Sequence, residues 1–143
     1  YVDQDRIGIW GWSYGGYTTI MSLLKGNDVF KMGVSVSPVT DWRNYDSIYT
    51  ERFMDIPIAN ESGYDAGSAM NYANNLKGRL LLIHGSSDYN VHMSNSMQFA
   101  QELQQQGKDF ELMLYPGKTH GLLGAATRVH VYDQIYKFIL NNL

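Results

Sequence analysis

The sequence has 143 residues and a formal net charge of −3, from 11 Lys and Arg against 14 Asp and Glu. It contains no cysteine, which excludes disulfides, thiolate metal sites and a cysteine nucleophile. With 44% hydrophobic and 17% charged residues, its composition is that of a globular domain, and we expect residues 1–143 to belong to one domain. The acidic balance argues against a nucleic-acid partner, and no apolar run approaches the roughly 18–20 residues of a membrane span.

Apolar runs typical of buried strands alternate with amphipathic helices along the chain. Strands are predicted at residues 7–10, 32–36, 79–84 and 110–115, and helices at residues 15–25, 94–106 and 125–141. The first helix is expected to stop at Gly26, Asn27 and Asp28. Residues 39–76 are polar and aromatic and predict short helices and loops. This alternation of strands and helices predicts an α/β fold with a mostly parallel sheet and flanking helices.

Periodicity also predicts which helical side chains face the core. In the helix at 94–106 the inward set is Met97, Ala100 and Leu103. In the last helix it is Val129, Val131, Tyr132, Ile135, Phe138 and Ile139.

A G-x-S-x-G motif, Gly11 to Gly15, stands directly between the first strand and the first helix. A serine on such a sharp turn needs small neighbours, which glycine supplies on both sides. The following helix N-terminus brings a positive dipole end, and the Tyr14 N–H is the expected first donor to an oxyanion. We therefore interpret Ser13 as a nucleophile; the alternative is a glycine-rich turn with an incidental serine.

A serine nucleophile needs a base that is held by an acid, and in this strand order the acid precedes the base. Asp88 follows the strand at 79–84, and His120 follows the strand at 110–115. All three candidates therefore fall at the carboxyl edge of one parallel sheet. Other candidates are weaker. His84 is expected to be a packed, hydrogen-bonded histidine, and Asp41 and Asp46 are expected to cap or pair locally. Asp109 is expected to have a surface role, and His92 and His130 are expected at the start of a helix and within one. No cluster has the spacing of metal ligands, so neither a metal nor a cofactor is expected.

Three blocks extend this pattern: GWSYGGY at 11–17, YDSIYTERFM at 45–54 and LIHGSSDYNVH at 82–92. Together they resemble the dipeptidyl peptidase IV branch of the prolyl oligopeptidase family of serine peptidases, over essentially the whole chain. The resemblance implies an α/β-hydrolase fold with Ser13, Asp88 and His120 as the catalytic triad. It implies release of N-terminal dipeptides after Pro or Ala. Three alternatives remain: a tripeptidyl peptidase of the same family, a carboxylesterase with the same nucleophile elbow (the strand-to-helix turn that carries the serine), and an inactive fragment that serves subunit contact.

The resemblance also assigns substrate-binding roles. Asn90 would bind the carbonyl of the residue that precedes the scissile position, and Arg52 would lie near the substrate amino end. The wall of a shallow pocket for proline or another small apolar side chain would comprise Tyr14, Val39, Trp42, Tyr45, Tyr49 and Val91. The alternative for these aromatic residues is packing against a neighbouring domain.

The family pattern includes parts that this sequence does not contain. These are a β-propeller that holds the substrate amino terminus, and a tyrosine before the elbow that is the second oxyanion donor. We therefore expect the chain to be the carboxy-terminal part of a catalytic domain. The resemblance further implies a homodimer and a periplasmic or extracellular location.

Overall fold

In the described part of the chain, the sheet has four strands, all parallel, in the spatial order β1-β2-β3-β4. A computed structural model describes residues 1–26 and 29–143; the predicted helix stop at Asn27 and Asp28 lies outside them. The strands are β1 (Gly8–Trp12), β2 (Met32–Val36), β3 (Arg79–Gly85) and β4 (Glu111–Tyr115). The helices are α1 (Tyr14–Lys25), α2 (Ser47–Met54), α3 (Glu61–Gly67), α4 (Ser94–Gln105) and α5 (Ala125–Asn142). The predicted α/β fold with a parallel sheet is confirmed.

Both faces of the sheet are covered, which explains the uniformly apolar sequence of β3. Its side chains alternate between two buried clusters, with Leu80 and Leu82 in one and Leu81 and Ile83 in the other. The first cluster packs against α1 and α4, and the second packs against α5. Because neighbouring strands are parallel, their carboxyl ends lie at one edge of the sheet.

The segment between β2 and β3 forms short elements, as predicted. It contains α2, α3 and three 3-10 helices at Trp42–Asn44, Pro57–Ala59 and Ala69–Asn75. Side-chain caps begin several of them: Asp46 Oδ1 accepts from Ile48 N at 2.9 Å before α2, and Asn60 Oδ1 accepts from Gly63 N at 3.2 Å before α3. These caps satisfy backbone donors that short helices otherwise leave unpaired.

The predicted core faces are wrong at three helical positions. Met97 is 41% exposed, and Phe99 is the large side chain that α4 buries instead. In α5, Val129 and Tyr132 are exposed, whereas Val131, Ile135 and Phe138 are buried. The buried residues follow i, i+4, i+7 spacing on one face, so the apolar stripe of α5 is wider than the face that the sheet covers. Within residues 1–26 and 29–143, no helix is long and apolar enough to cross a membrane.

Candidate active site

Ser13 lies on the turn that joins β1 to α1, in a conformation that side chains rarely adopt. Its φ is 58° and its ψ is −117°, and such strain costs on the order of 1–3 kcal/mol. The surrounding backbone holds the turn on both sides. Ser13 N donates to Val36 O at 2.8 Å, and Ser13 O accepts from Tyr17 N at 3.0 Å. The strand-to-helix elbow expected from the sequence motif is therefore present.

The two glycines of the motif have different surroundings. A Cβ on Gly11 would lie 2.3 Å from the carbonyl carbon and oxygen of Gly15, so no side chain fits there. A Cβ on Gly15 would meet no atom of the described chain within 4 Å. Gly16 is the second crowded position, because its Cβ would lie 2.9 Å from Val36 O. The expectation that both flanking glycines are needed for space is thus correct for Gly11 and wrong for Gly15.

The Ser13 hydroxyl is not used by the helix that it precedes. A serine at an N-cap usually accepts a hydrogen bond from a backbone N–H of the first turn. Ser13 occupies this position before α1 and makes no such side-chain bond. The first N–H groups of a helix have no intrahelical partner, and that of Tyr14 is the first in α1. The elbow thus places an uncommitted hydroxyl beside a backbone donor and the positive end of a helix dipole.

Asp88 and His120 form a direct hydrogen bond across the loops that follow β3 and β4. His120 Nδ1 lies 2.8 Å from Asp88 Oδ2, while Asp88 Oδ1 accepts from Asn90 N and Val91 N, each at 3.0 Å. A carboxylate only accepts, so Nδ1 carries the proton and Nε2 of His120 keeps a lone pair. This is the tautomer that a general base requires.

A tryptophan links the histidine loop to the elbow. The indole N–H of Trp12, the residue before Ser13, donates to the His120 carbonyl oxygen at 3.0 Å. Among residues 1–26 and 29–143, no hydrogen bond joins the side chains of Ser13 and His120. Such bonds are often long in unliganded enzymes and tighten when substrate binds. The Trp12 bond therefore ties the loop that carries His120 to the residue next to Ser13.

The Asp88 carboxyl is nearly inaccessible to solvent, with 2% of its surface exposed. Burial alone would raise its pKa. Hydrogen bonds from His120, from His84 and from the Val91 N–H outweigh burial and hold the pKa of Asp88 well below its usual range. The Asp88 carboxyl is therefore ionised at neutral pH, which is the state required of a group that orients an imidazolium.

A cluster of aromatic side chains, called here the aromatic group, surrounds the buried Trp42 and includes Tyr14, the residue after Ser13. The Trp42 ring lies 5.5 Å from that of Tyr14, 5.9 Å from that of Tyr45 and 6.2 Å from that of Tyr49. A cavity of about 420 Å³ opens against this group, and Tyr14, Trp42 and Tyr49 line it. Val39 and Val91 are buried beneath Trp42 in the same cluster.

Sequence reasoning missed the other residues that line this cavity. They are Tyr17, Thr50, Phe53, Met54 and Gly67. Phe53 was open to discovery, because it lies four residues after Tyr49 on α2 and therefore shares its helix face. The contribution of Tyr17 follows from the direction of α1, which no local pattern in the sequence reveals.

Tyr45 and Asn90 lie together in a neighbouring depression of about 500 Å³ that is also lined by Asp46 and Tyr89. Tyr45 donates its hydroxyl proton to Asn90 Oδ1 at 2.9 Å. Burial and the charge of Asp46 raise the pKa of Tyr45, so the phenol stays protonated and remains a donor. The Asn90 amide N–H groups have no protein partner among the described residues, and both can donate to a ligand carbonyl.

Arg52 occupies an exposed position on α2, with its guanidinium carbon 5.9 Å from the centre of the Phe53 ring. It makes no ion pair with any residue that the structure describes. The structure therefore places its positive charge near the aromatic cavity and leaves it free to meet a ligand.

Among the weaker candidates, Asp41 and Asp46 cap helices and Asp109 is exposed, as expected. His92 contacts Ser94, and His130 contacts the Tyr115 hydroxyl. His84 is buried and hydrogen-bonded, but one of its neighbours is Asp88, a contact that the sequence did not indicate. In the described part of the chain, no group of three or more His, Asp or Glu residues is arranged to hold a metal.

Comparison with known proteins agrees with this geometry. The model of the prolyl oligopeptidase family matches residues 1–143, so the chain belongs to that family. It is 43% identical to dipeptidyl peptidase 4 of Bos taurus, covering 97% of this chain and 19% of that protein. It is 42% identical to a Grosmannia clavigera protein named "Probable dipeptidyl-aminopeptidase B", covering 99% of this chain and 15% of that one.

Among solved structures, Porphyromonas gingivalis dipeptidyl peptidase 4 superposes with a TM-score of 0.98 at 53% identity. The match covers 100% of this chain and 20% of that one. The resemblance to the dipeptidyl peptidase IV branch is thereby confirmed. The chain spans a fifth or less of the length of these relatives.

Proposed function

We propose that this chain carries the catalytic triad of a serine exopeptidase that releases N-terminal dipeptides after Pro or Ala. The observation that carries the proposal is the strained Ser13 with its uncommitted hydroxyl, beside a loop in which Asp88 holds His120 in the tautomer of a base. Family membership supports it, since the relatives are named dipeptidyl peptidases.

The geometry suggests the roles of these residues. Ser13 Oγ attacks the scissile carbonyl while His120 Nε2 takes its proton, and the negative charge moves to the carbonyl oxygen. The Tyr14 N–H donates to that oxygen. Collapse of the tetrahedral species breaks the C–N bond, and His120 returns the proton to the leaving amine. Water then repeats the sequence on the acyl-enzyme, while Asp88 stabilises the charged imidazole in both halves.

For the substrate, we propose that the aromatic group around Trp42 receives the side chain next to the scissile bond. Flat aromatic walls suit the ring of proline or the methyl group of alanine. Asn90 would donate to the carbonyl of the preceding residue, and Arg52 would lie near the substrate amino end. Tyr45, Val39 and Val91 would support the wall from the side and from beneath.

The rest of a longer protein would complete the site. Because the chain spans 20% or less of its relatives, we propose that other segments supply a β-propeller and a second oxyanion donor. Absence of one such donor costs about 2.7–4 kcal/mol of transition-state stabilisation, so this chain alone would be slow. We propose a periplasmic or extracellular location for the full protein, which fractionation of cells tests.

We also propose that the full protein is a homodimer. The family resemblance motivates this, and α5 carries an exposed apolar stripe: Val129, Tyr132, Tyr136 and Leu140. Light scattering of the full-length protein and of Tyr136→Glu tests it. A wild-type monomer refutes the dimer, and a dimeric variant shows that this stripe is not its interface.

Labelling by a fluorophosphonate, read by intact mass, tests the nucleophile. We expect one adduct on the full-length protein and none on Ser13→Ala; an adduct that persists in the variant would refute the assignment. Hydrolysis of Gly-Pro-anilide against Ala-Ala-Pro-anilide then tests the specificity. Equal or faster tripeptide turnover would instead indicate a tripeptidyl peptidase. Fast ester turnover without any proline-amide cleavage would indicate a carboxylesterase. No labelling of a folded protein would indicate a catalytically inactive role in subunit contact.

A further inference from the structure

A second histidine lies against the acid side chain. His84, near the end of β3, is fully buried, and its Nε2 lies 2.9 Å from the Val91 carbonyl oxygen and 3.4 Å from Asp88 Oδ2. Its Nδ1 lies 2.7 Å from Ser96 Oγ on α4. The imidazole therefore connects the turn that carries the acid to the helix packed behind it.

The neighbours of His84 fix the position of its proton. Both groups near Nε2 are acceptors, the carbonyl of Val91 and the carboxylate of Asp88, so Nε2 carries the hydrogen. Ser96 has a hydroxyl that can donate to Nδ1, and it is itself fully buried. This partner favours the tautomer whose Nε2–H donates to the Val91 carbonyl at 2.9 Å, with Asp88 Oδ2 3.4 Å from the same nitrogen.

The contact matters because of the way in which Asp88 is held. Its Oδ1 accepts from two backbone N–H groups, whereas its Oδ2 has only side-chain partners, His120 at 2.8 Å and His84 at 3.4 Å. The oxygen that orients the base is therefore restrained, apart from the base itself, by His84 alone among the described residues. We infer that His84 is a positioning residue whose Nε2–H holds Asp88 Oδ2 in line with His120.

This inference rests on the proposed function. It predicts a loss of turnover, whereas a role in packing alone predicts only a loss of stability. If His84 only filled space and paired with Val91 and Ser96, replacing it would lower stability and leave turnover by the folded fraction unchanged. If it restrains Asp88 Oδ2, its loss allows the carboxylate to rotate, and the base is misaligned at the moment of proton transfer. A defect of that kind lowers kcat and leaves KM almost unchanged.

Two substitutions in the full-length protein that carries this chain separate these cases. In His84→Gln the amide nitrogen reaches the position of Nε2, so the donor is retained. In His84→Asn it reaches only the position of Nδ1, so the donor to Asp88 is lost. We expect His84→Asn to lower kcat by about 10–100-fold, as the loss of supporting partners at catalytic centres often does. KM should stay within about twofold, and His84→Gln should recover most of the activity.

Active sites titrated with a fluorophosphonate give kcat per competent molecule, so partial unfolding does not imitate the effect. Should His84→Asn not fold, Ser96→Ala removes the hydroxyl that fixes the tautomer, and we expect a smaller loss of kcat at constant KM. Its control is Thr40→Ala, which removes another fully buried hydroxyl that is hydrogen-bonded to α4, at Asn95 O, and does not contact Asp88. That control should leave kcat unchanged.

The outcomes distinguish this inference from the proposed function. If the wild-type protein does not cleave proline anilides, or Ser13→Ala still cleaves them, the proposed function fails. If the wild-type protein is active and Ser13→Ala is not, but His84→Asn keeps the wild-type kcat, the function stands and the role of His84 is refuted. Equal losses of kcat in His84→Asn and His84→Gln would refute it as well, because the retained donor would then have no effect.

Discussion

Gly11 and Gly15 differ in the space around them, so substitutions at these two positions test whether crowding at the turn controls the position of Ser13. Replacing Gly11 by Ala places a Cβ 2.3 Å from the carbonyl carbon and oxygen of Gly15, and the obstructing atoms are backbone. The turn must open by about 1 Å or more to restore ordinary contact. Replacing Gly15 by Ala adds a Cβ that meets nothing within 4 Å. The two substitutions add the same atom within one motif, so each is the control for the other.

The magnitudes follow from these contacts. Overpacking costs about 1–3 kcal/mol, and Ser13 is already in a strained conformation. Gly15 lies in the first turn of α1, where alanine is favoured over glycine by up to about 1 kcal/mol. The variants should therefore differ by about 1–4 kcal/mol in free energy of unfolding. At about 2–4 °C per kcal/mol, this corresponds to a difference of about 2–16 °C in Tm.

The assay combines thermal unfolding with the rate of fluorophosphonate labelling at Ser13. We expect Gly11→Ala to unfold at lower temperature and to label about 100-fold more slowly, because a misplacement of 1 Å has that effect on a reacting group. Gly15→Ala should label at the wild-type rate and unfold at the wild-type temperature or slightly above it. If Gly11→Ala labels at the wild-type rate, or if Gly15→Ala loses as much labelling rate and Tm as Gly11→Ala, crowding at Gly11 does not explain the need for glycine.

Three further predictions concern the base, the acid and the substrate site. Trp12→Phe removes the donor to the His120 carbonyl, a bond worth about 0.5–1.5 kcal/mol, and should lower kcat severalfold at constant KM; an unchanged kcat contradicts it. The folded-state pKa of Asp88 is lowered, so its stabilisation is complete above the unfolded value of about 4 and is lost as pH falls below it. The Tm difference between wild type and Asp88→Asn should be constant from about pH 5 to 8 and shrink below about pH 4; a decline already at pH 6 contradicts the direction of the pKa shift. Tyr45→Phe frees Asn90 Oδ1 and should raise KM for proline anilides severalfold with kcat almost unchanged, and a kcat defect alone would argue against this role.

Much of the fold could be predicted because its determinants are local. The four strands are short apolar runs bounded by polar or glycine residues, and the predicted limits differ from the observed ones by at most two residues. The parallel arrangement follows from the helices between the strands. The carboxyl edge then places Ser13, Asp88 and His120 on the same side without any knowledge of distances.

What the sequence could not supply depends on contacts between distant segments. His84 looks like an ordinary strand-end histidine until β3 and the following turn are folded, when Asp88 lies 3.4 Å away. Gly15 and Gly11 are equivalent in the motif, yet only the backbone path shows that one crowds the other. The exposed Val129 and Tyr132 illustrate the same limit, since periodicity identifies an apolar face but not the width that neighbours cover.

The turn after β3 has a consequence for sequence variation. Asp88, Asn90 and Val91 lie within four residues of each other. The N–H groups of Asn90 and Val91 both donate to Asp88 Oδ1, and the Asn90 side chain accepts from the Tyr45 hydroxyl. Tyr89, by contrast, is 87% exposed. A library built on this protein should therefore accept many residue types at position 89 but no insertion or deletion between 88 and 91. Changing the length of this turn would displace the Asp88 carboxyl, the Val91 side chain packed with Trp42 and the Asn90 amide together.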